Sequence, residues 1–159
     1  MIAIIAEKPS VGQEIARVVG ATEKKDGYIT GNGYMVTWAL GHLVSLALPG
    51  TYGYTRTTAE DLPMLPEPFR LVERQIRTDR GMVTDIAAGR QLKVIDGVFS
   101  ECDSIIVATD AGREGELIFR WIYSHLGCTK LFKRLWFSSL TDEAIRKLSL
   151  IHISEPTRL

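Results

Sequence analysis

Asp110-Ala111-Gly112-Arg113-Glu114-Gly115-Glu116 places three carboxylates and one arginine directly after the apolar run Ser104-Ile105-Ile106-Val107-Ala108-Thr109. Carboxylates at this density can hold a hard cation or move a proton, and an arginine among them suits a phosphate or carboxylate. In an open α/β sheet the carboxyl ends of strands face a crevice, where acids keep their charge without the desolvation penalty of the interior. A second short apolar run, Met1-Ile2-Ala3-Ile4-Ile5-Ala6, ends in Glu7-Lys8-Pro9-Ser10. Two strands remote in the chain are therefore expected to deliver acids to one edge, with Glu7 confronting Asp110 and Glu114 across a space for a hydrated divalent cation.

Alternating elements must build that edge. Ser10 can cap a helix running to about residue 19, with Val11, Ile15, Val18 and Val19 on one face and Gly20 as its stop. Residues 28–30 and 34–38 flank Gly31-Asn32-Gly33, which tolerates positive φ, and read as a β-hairpin. Residues 41–69 hold four prolines and three glycines and read as a long irregular excursion. A strand is expected at 69–73, a helix at 79–101, a strand at 104–109, a helix at 113–126 ended by Gly127, a strand at 135–137, and a last helix opening at Thr141-Asp142-Glu143. The strands are too continuously apolar to be one-sided. The fold class is therefore α/β, a largely parallel central sheet flanked by helices, with an inserted hairpin and long loop.

Composition sets bounds. With 159 residues, 45% of them hydrophobic and 24% charged, the chain can bury a substantial core. No apolar run approaches a membrane span and no secretory leader opens the sequence, so a cytoplasmic, nucleoid-associated protein with no membrane partner is expected. Cys102 and Cys128 have no metal-site spacing. Lysine plus arginine balances aspartate plus glutamate at 19 each, so any nucleic-acid contact must be local rather than driven by net charge.

Four separated segments carry a resemblance: Ile4-Ile5-Ala6-Glu7-Lys8-Pro9-Ser10, Trp38-Ala39-Leu40-Gly41-His42-Leu43, Leu65-Pro66-Glu67-Pro68-Phe69, and the Asp110 cluster. Together they resemble the N-terminal Toprim domain of type IA DNA topoisomerases, nearest the bacterial topoisomerase III branch, over residues 1–147. The resemblance implies the Toprim fold and an ATP-independent enzyme that cleaves and rejoins one DNA strand, acting on single-stranded segments. It implies Mg2+ as cofactor, with Asp110 and Glu114 as ligands and Glu7 beside them as ligand and general acid/base. Lys8 and Arg113 would bring positive charge to the phosphate, and Glu116 would orient Arg113 or a metal-bound water. The attacking tyrosine would come from downstream domains, since none of Tyr28, Tyr34, Tyr52, Tyr54 or Tyr123 sits in a matching motif. The fragment alone is expected to be inactive. The family's Asp-x-Asp-x-Glu pattern has an acid where this chain has Gly112, so weaker metal binding is expected. Because the Toprim fold also serves nucleases and non-catalytic nucleic-acid-binding proteins, those functions remain the alternative.

Other residues take plainer readings. Glu7-Lys8 alone would pass for a solvated pair leaving a strand, and the Asp110 cluster for an ordinary helix start; the two together favour a site. His42 is expected to be a hydrogen-bonded structural histidine beside Gly41 and is left out of the catalytic set. Arg70, Arg74 and Arg77 read as a solvated face, and Phe119, Trp121, Trp136 and Phe137 as core. Residues 148–159 resemble a translated sequencing adapter and are expected to be a non-native tail outside the domain.

Overall fold

Two faces of apolar side chains on the same strands decide the architecture. In the computed structural model, which describes residues 1–54, 58–79 and 81–135, strand β1 (Ile2–Ala6) leads into helix α1 (Pro9–Val19). Strands β2 (Glu23–Lys25), β3 (Tyr28–Gly31) and β4 (Tyr34–Trp38) follow. The excursion carries β5 (Val44–Leu46), two 3-10 turns at Pro49–Tyr52 and Ala59–Asp61, β6 (Leu71–Glu73), β7 (Gln75–Thr78) and β8 (Gly81–Thr84). Helix α2 (Ile86–Glu101), β9 (Ser104–Ala108), α3 (Arg113–His125) and β10 (Phe132–Arg134) complete it.

The central sheet has the order β10-β9-β1-β4-β3-β2. Strand β1 pairs in parallel with both β4 and β9, and β9 in parallel with β10, while β2 and β3 extend the sheet as antiparallel strands. Along β1 and β9 the side chains alternate between two apolar layers. Ala3, Ile5, Ile105 and Val107 join α2 and α3 in one, whereas Ile4, Ala6 and Ala108 join α1 in the other. Burial on both faces is what makes these strands read as continuous apolar runs.

The chain leaves β1 through α1 toward β4 on one side and leaves β9 through α3 toward β10 on the other. The order of connections reverses between β1 and β9, and this is the topological switch point where α/β sheets open a crevice.

The expected helix α1, the hairpin at 28–38 and the strand at 104–109 are present, with Asn32 at φ 50° and Gly33 at φ 83° in the hairpin turn. Four expectations are corrected. Ser10 does not cap α1: the helix begins at Pro9, Lys8 is the N-cap with no side-chain hydrogen bond to the first turn, and proline's fixed φ suits that first position. The helix expected from residue 79 begins at Ile86, because β7 and β8 pair antiparallel with Gly81 at φ 106°, and Asp85 is the true cap, accepting from the N–H groups of Ala87 and Ala88. The excursion is not wholly irregular, since β5 pairs antiparallel with β6. The strand beside β9 is Phe132–Arg134, fixed by the in-register pairing Phe132 with Ile105, and buried Leu135 follows it. Trp136, Phe137, the helix expected at 141 and the expected tail at 148–159 lie outside the described residues. Among the described residues no helix is long and apolar enough to cross a membrane.

Candidate functional site

In-register pairing of Ala6 with Ala108 ends both strands at the same level, so Glu7 emerges beside Thr109 and Asp110. The Asp110 N–H donates to Glu7 Oε2 at 3.2 Å, which ties the acid leaving β1 to the loop leaving β9. Glu7 is half-buried, whereas Lys8, Asp110, Arg113 and Glu114 are exposed. Helices α1 and α3 both begin here, at Pro9 and Arg113. Two helix N-termini, each with unpaired N–H groups and a partial positive charge, therefore flank the acids and favour a phosphate between them.

The acidic loop is built by contacts that lie outside the expected site residues. Thr109 is fully buried, and its hydroxyl donates to the Gly115 carbonyl at 2.7 Å. A Cβ on Gly115 would lie 2.1 Å from the Asp110 carbonyl oxygen, so only glycine lets the first turn of α3 fold back on the loop. Arg134 of β10 donates to the carbonyl and hydroxyl oxygens of Thr109 at 3.1 and 3.2 Å, and to the Asp110 carbonyl at 3.4 Å. Its side chain is 11% exposed and ion-paired with Glu116. Glu116 also pairs with Arg120 at 2.6 Å. Burial pushes the Glu116 carboxyl up, but the Arg120 hydrogen bond and the charges of Arg134 and Arg120 bring it below its ordinary value. Burial lowers the Arg134 guanidinium, against the pull of Glu116. Glu116 thus braces the loop through Arg134, and its ion pairs go to Arg134 and Arg120 rather than to Arg113.

Glu114 has a different partner. Its Oε1 lies 2.5 Å from His42 Nε2, a contact that joins α3 to the turn after Gly41. Among the described residues no group of three or more His, Cys, Asp or Glu side chains is gathered to hold a metal ion. Magnesium keeps several waters and needs only one or two protein carboxylates with substrate phosphate. Half-buried Glu7 and exposed Asp110 and Glu114 offer at this edge only oxygen donors, the ligand type magnesium takes.

Two readings change. Arg74 is not on a solvated face: it pairs with Asp85 at 2.6 Å and donates to the carbonyls of Leu40 and His42 at 2.9 and 3.2 Å. The Arg74 hydrogen bond is the main reason the Asp85 carboxyl sits below its ordinary value, against a smaller upward push from burial. His42 is hydrogen-bonded as expected, but to an acid of the candidate site. No local pattern marked Thr109, Arg134 or Arg74; Gly115 stood in the motif and could have been singled out as a position of close backbone approach. Phe119 is core as expected, and Trp121 is partly buried against the same core cluster.

Comparison with known proteins agrees with this geometry. The Toprim domain model matches residues 2–140. The chain is 46% identical over 147 residues to DNA topoisomerase 3 of Bacillus licheniformis, covering 90% of this chain and 19% of that protein. It is 45% identical over 148 residues to DNA topoisomerase 3 of Bacillus subtilis, covering 91% and 19%. Full-length topoisomerase I from Thermotoga maritima superposes with a TM-score of 0.56 at 19% identity, over 93% of this chain and 20% of that one, a likeness of fold. The chain thus spans about one fifth of the length of the curated relatives it matches. With the matched sequence, the parallel sheet and the acids at its switch point in agreement, this chain belongs to the Toprim domain family.

Proposed function

We propose that this chain supplies the acidic, cation-holding half of a type IA topoisomerase active site, completed by a tyrosine in the part of the relatives' length that it does not span. The single observation that carries the reading is the parallel β1–β9 pairing, which ties Glu7 to Asp110 at 3.2 Å at the sheet's switch point.

Cleaving and resealing a phosphodiester requires negative charge to be offset on the non-bridging oxygens and a proton to be given to, then taken from, the leaving oxygen. Asp110 and Glu114, with Glu7 beside them, would hold Mg2+, which supplies that charge neutralisation when bound. Glu7 is the proton carrier, its carboxyl kept at the mouth of the crevice by the Asp110 N–H. Lys8 and Arg113 stand at the starts of α1 and α3 and add fixed positive charge for the DNA phosphate. Glu116 acts indirectly, by anchoring Arg134 against the carbonyls of Thr109 and Asp110. The substrate of this reading is a single-stranded DNA segment, the setting the nucleoid.

The test is a chimera in which residues 1–147 replace the matching segment of the Bacillus subtilis relative. We expect the chimera to relax negatively supercoiled plasmid in Mg2+, to stop in a chelator, and to lose at least a hundredfold in rate with Glu7→Gln. The 159-residue chain alone should leave the plasmid unchanged. Retained relaxation by Glu7→Gln would remove Glu7 from its role, and nicking without resealing by the chain alone would favour a Toprim nuclease.

A further inference from the structure

Glu114 projects from the first turn of α3 and is 72% exposed, so an unassisted side chain there would sample several rotamers. His42 meets it across 72 residues of sequence. An ionised carboxylate only accepts, so His42 Nε2 is the donor, and the second Glu114 oxygen keeps its capacity to bind a cation.

The histidine is itself fixed on several sides. Its ring packs against Trp121 with centroids 5.7 Å apart, and Trp121 lies two turns beyond Glu114 on the same face of α3. Its carbonyl and that of Leu40 accept from Arg74 Nη1, while the Arg74 main-chain N–H donates to the Leu43 carbonyl at 2.8 Å. Arg74 is held in turn by Asp85, the cap of α2. A rigid ring on a clamped turn can restrict a carboxylate without also ordering a second flexible side chain, which is where surface pairs lose most of their benefit.

Carboxylate ligands of metals are commonly oriented by outer hydrogen-bond donors. We propose that His42 is a positioning residue, holding the Glu114 carboxylate in the orientation in which it takes up the divalent cation. This rests on the metal reading of the preceding section. The excursion after β4 then has a stated task, since its β6–β7 segment carries the arginine that sets the histidine.

Manganese uptake by the 159-residue chain, followed through the electron paramagnetic resonance signal of the free ion, tests the proposal without any DNA or turnover. Asp110→Asn should weaken binding whatever the role of His42. His42→Ala should weaken it roughly tenfold, His42→Gln should recover most of that loss by returning an N–H at similar reach, and His42→Ala should add nothing on a Glu114→Gln background. His42→Leu keeps apolar volume against Trp121 and carries the same test if the alanine variant fails to fold. Unchanged or tighter binding by the His42 variants, or a loss that persists in Glu114→Gln, overturns the proposal while a weakened Asp110→Asn leaves the metal reading standing. No uptake by the wild-type chain, or an Asp110→Asn variant that binds like it, overturns the metal reading and this proposal together.

Discussion

The β1–β9 edge and the excursion between β4 and α2 both reach the candidate site, but the first rests on apolar packing of its strands and the second on apolar packing with a polar clamp. Glu7 and Asp110 leave strands whose preceding residues, Ile4, Ile5, Ala6, Val107 and Ala108, are almost completely buried, so their position follows from apolar packing on two faces. His42 sits between buried Ala39 and buried Leu43 and Val44, but the excursion beyond them exposes Leu46, Leu48, Leu62, Leu65 and Phe69, and the turn that carries the histidine is clamped by Arg74, Asp85 and main-chain carbonyls. Burial fixes a backbone over several residues at once. A polar clamp fixes one turn, and a single substitution can release it.

Breaking the first region should have the largest effect. Ile5→Ala empties a fully buried site between β1 and the helices and should cost about 2–5 kcal/mol, read by urea unfolding. A loss well below 1 kcal/mol would mean that β1 does not anchor the edge.

Gly115→Ala comes next. Its methyl group would collide with the Asp110 backbone, so strain of about 1–3 kcal/mol is expected, with the amide signal of Asp110 shifted in nuclear magnetic resonance spectra. An unshifted Asp110 would separate the loop's shape from the start of α3.

The polar brace can be tested by pH. The Glu116 carboxyl is held below its ordinary value near 4.5, so its stabilising contribution is complete above that value and is lost as pH falls through the lower folded one. Glu116→Gln should therefore be less stable at neutral pH and show a flatter loss of stability below pH 4.5 than the parent chain. Equal slopes in thermal melts across that range would remove Glu116 from the brace.

Gly112→Asp should have the smallest effect on stability and would sharpen the comparison. Gly112 caps α3 at φ −79°, and a Cβ there meets open space. An aspartate can cap the helix, gaining a few tenths of a kcal/mol, and should tighten manganese binding by adding an acid to the edge. Unchanged affinity would show that the middle position of the motif is not limiting.

Much of the first region was legible in the sequence. The runs at residues 2–6 and 104–109, the stop of α1 at Gly20 and the glycines of the 28–38 hairpin each carry a local pattern, and the acids stand where those runs stop. The start of α2 was misread because Val83 continued an apolar spacing that the β7–β8 pairing and the cap at Asp85 override. Phe132–Arg134 were missed as a strand because their partner β9, not their own composition, sets their register.

The sequence by itself determined that acids would leave two buried strands at the carboxyl edge of a mostly parallel sheet, because hydrophobic period and strand ends repeat over neighbouring residues. Only the tertiary structure decided that Glu114 meets His42, that Arg74 steadies the histidine and that Arg134 grips the loop of Asp110. Those are single donor–acceptor contacts spanning 72, 32 and 24 residues, and a polar side chain carries no local record of which distant carbonyl or carboxylate folding will bring to it.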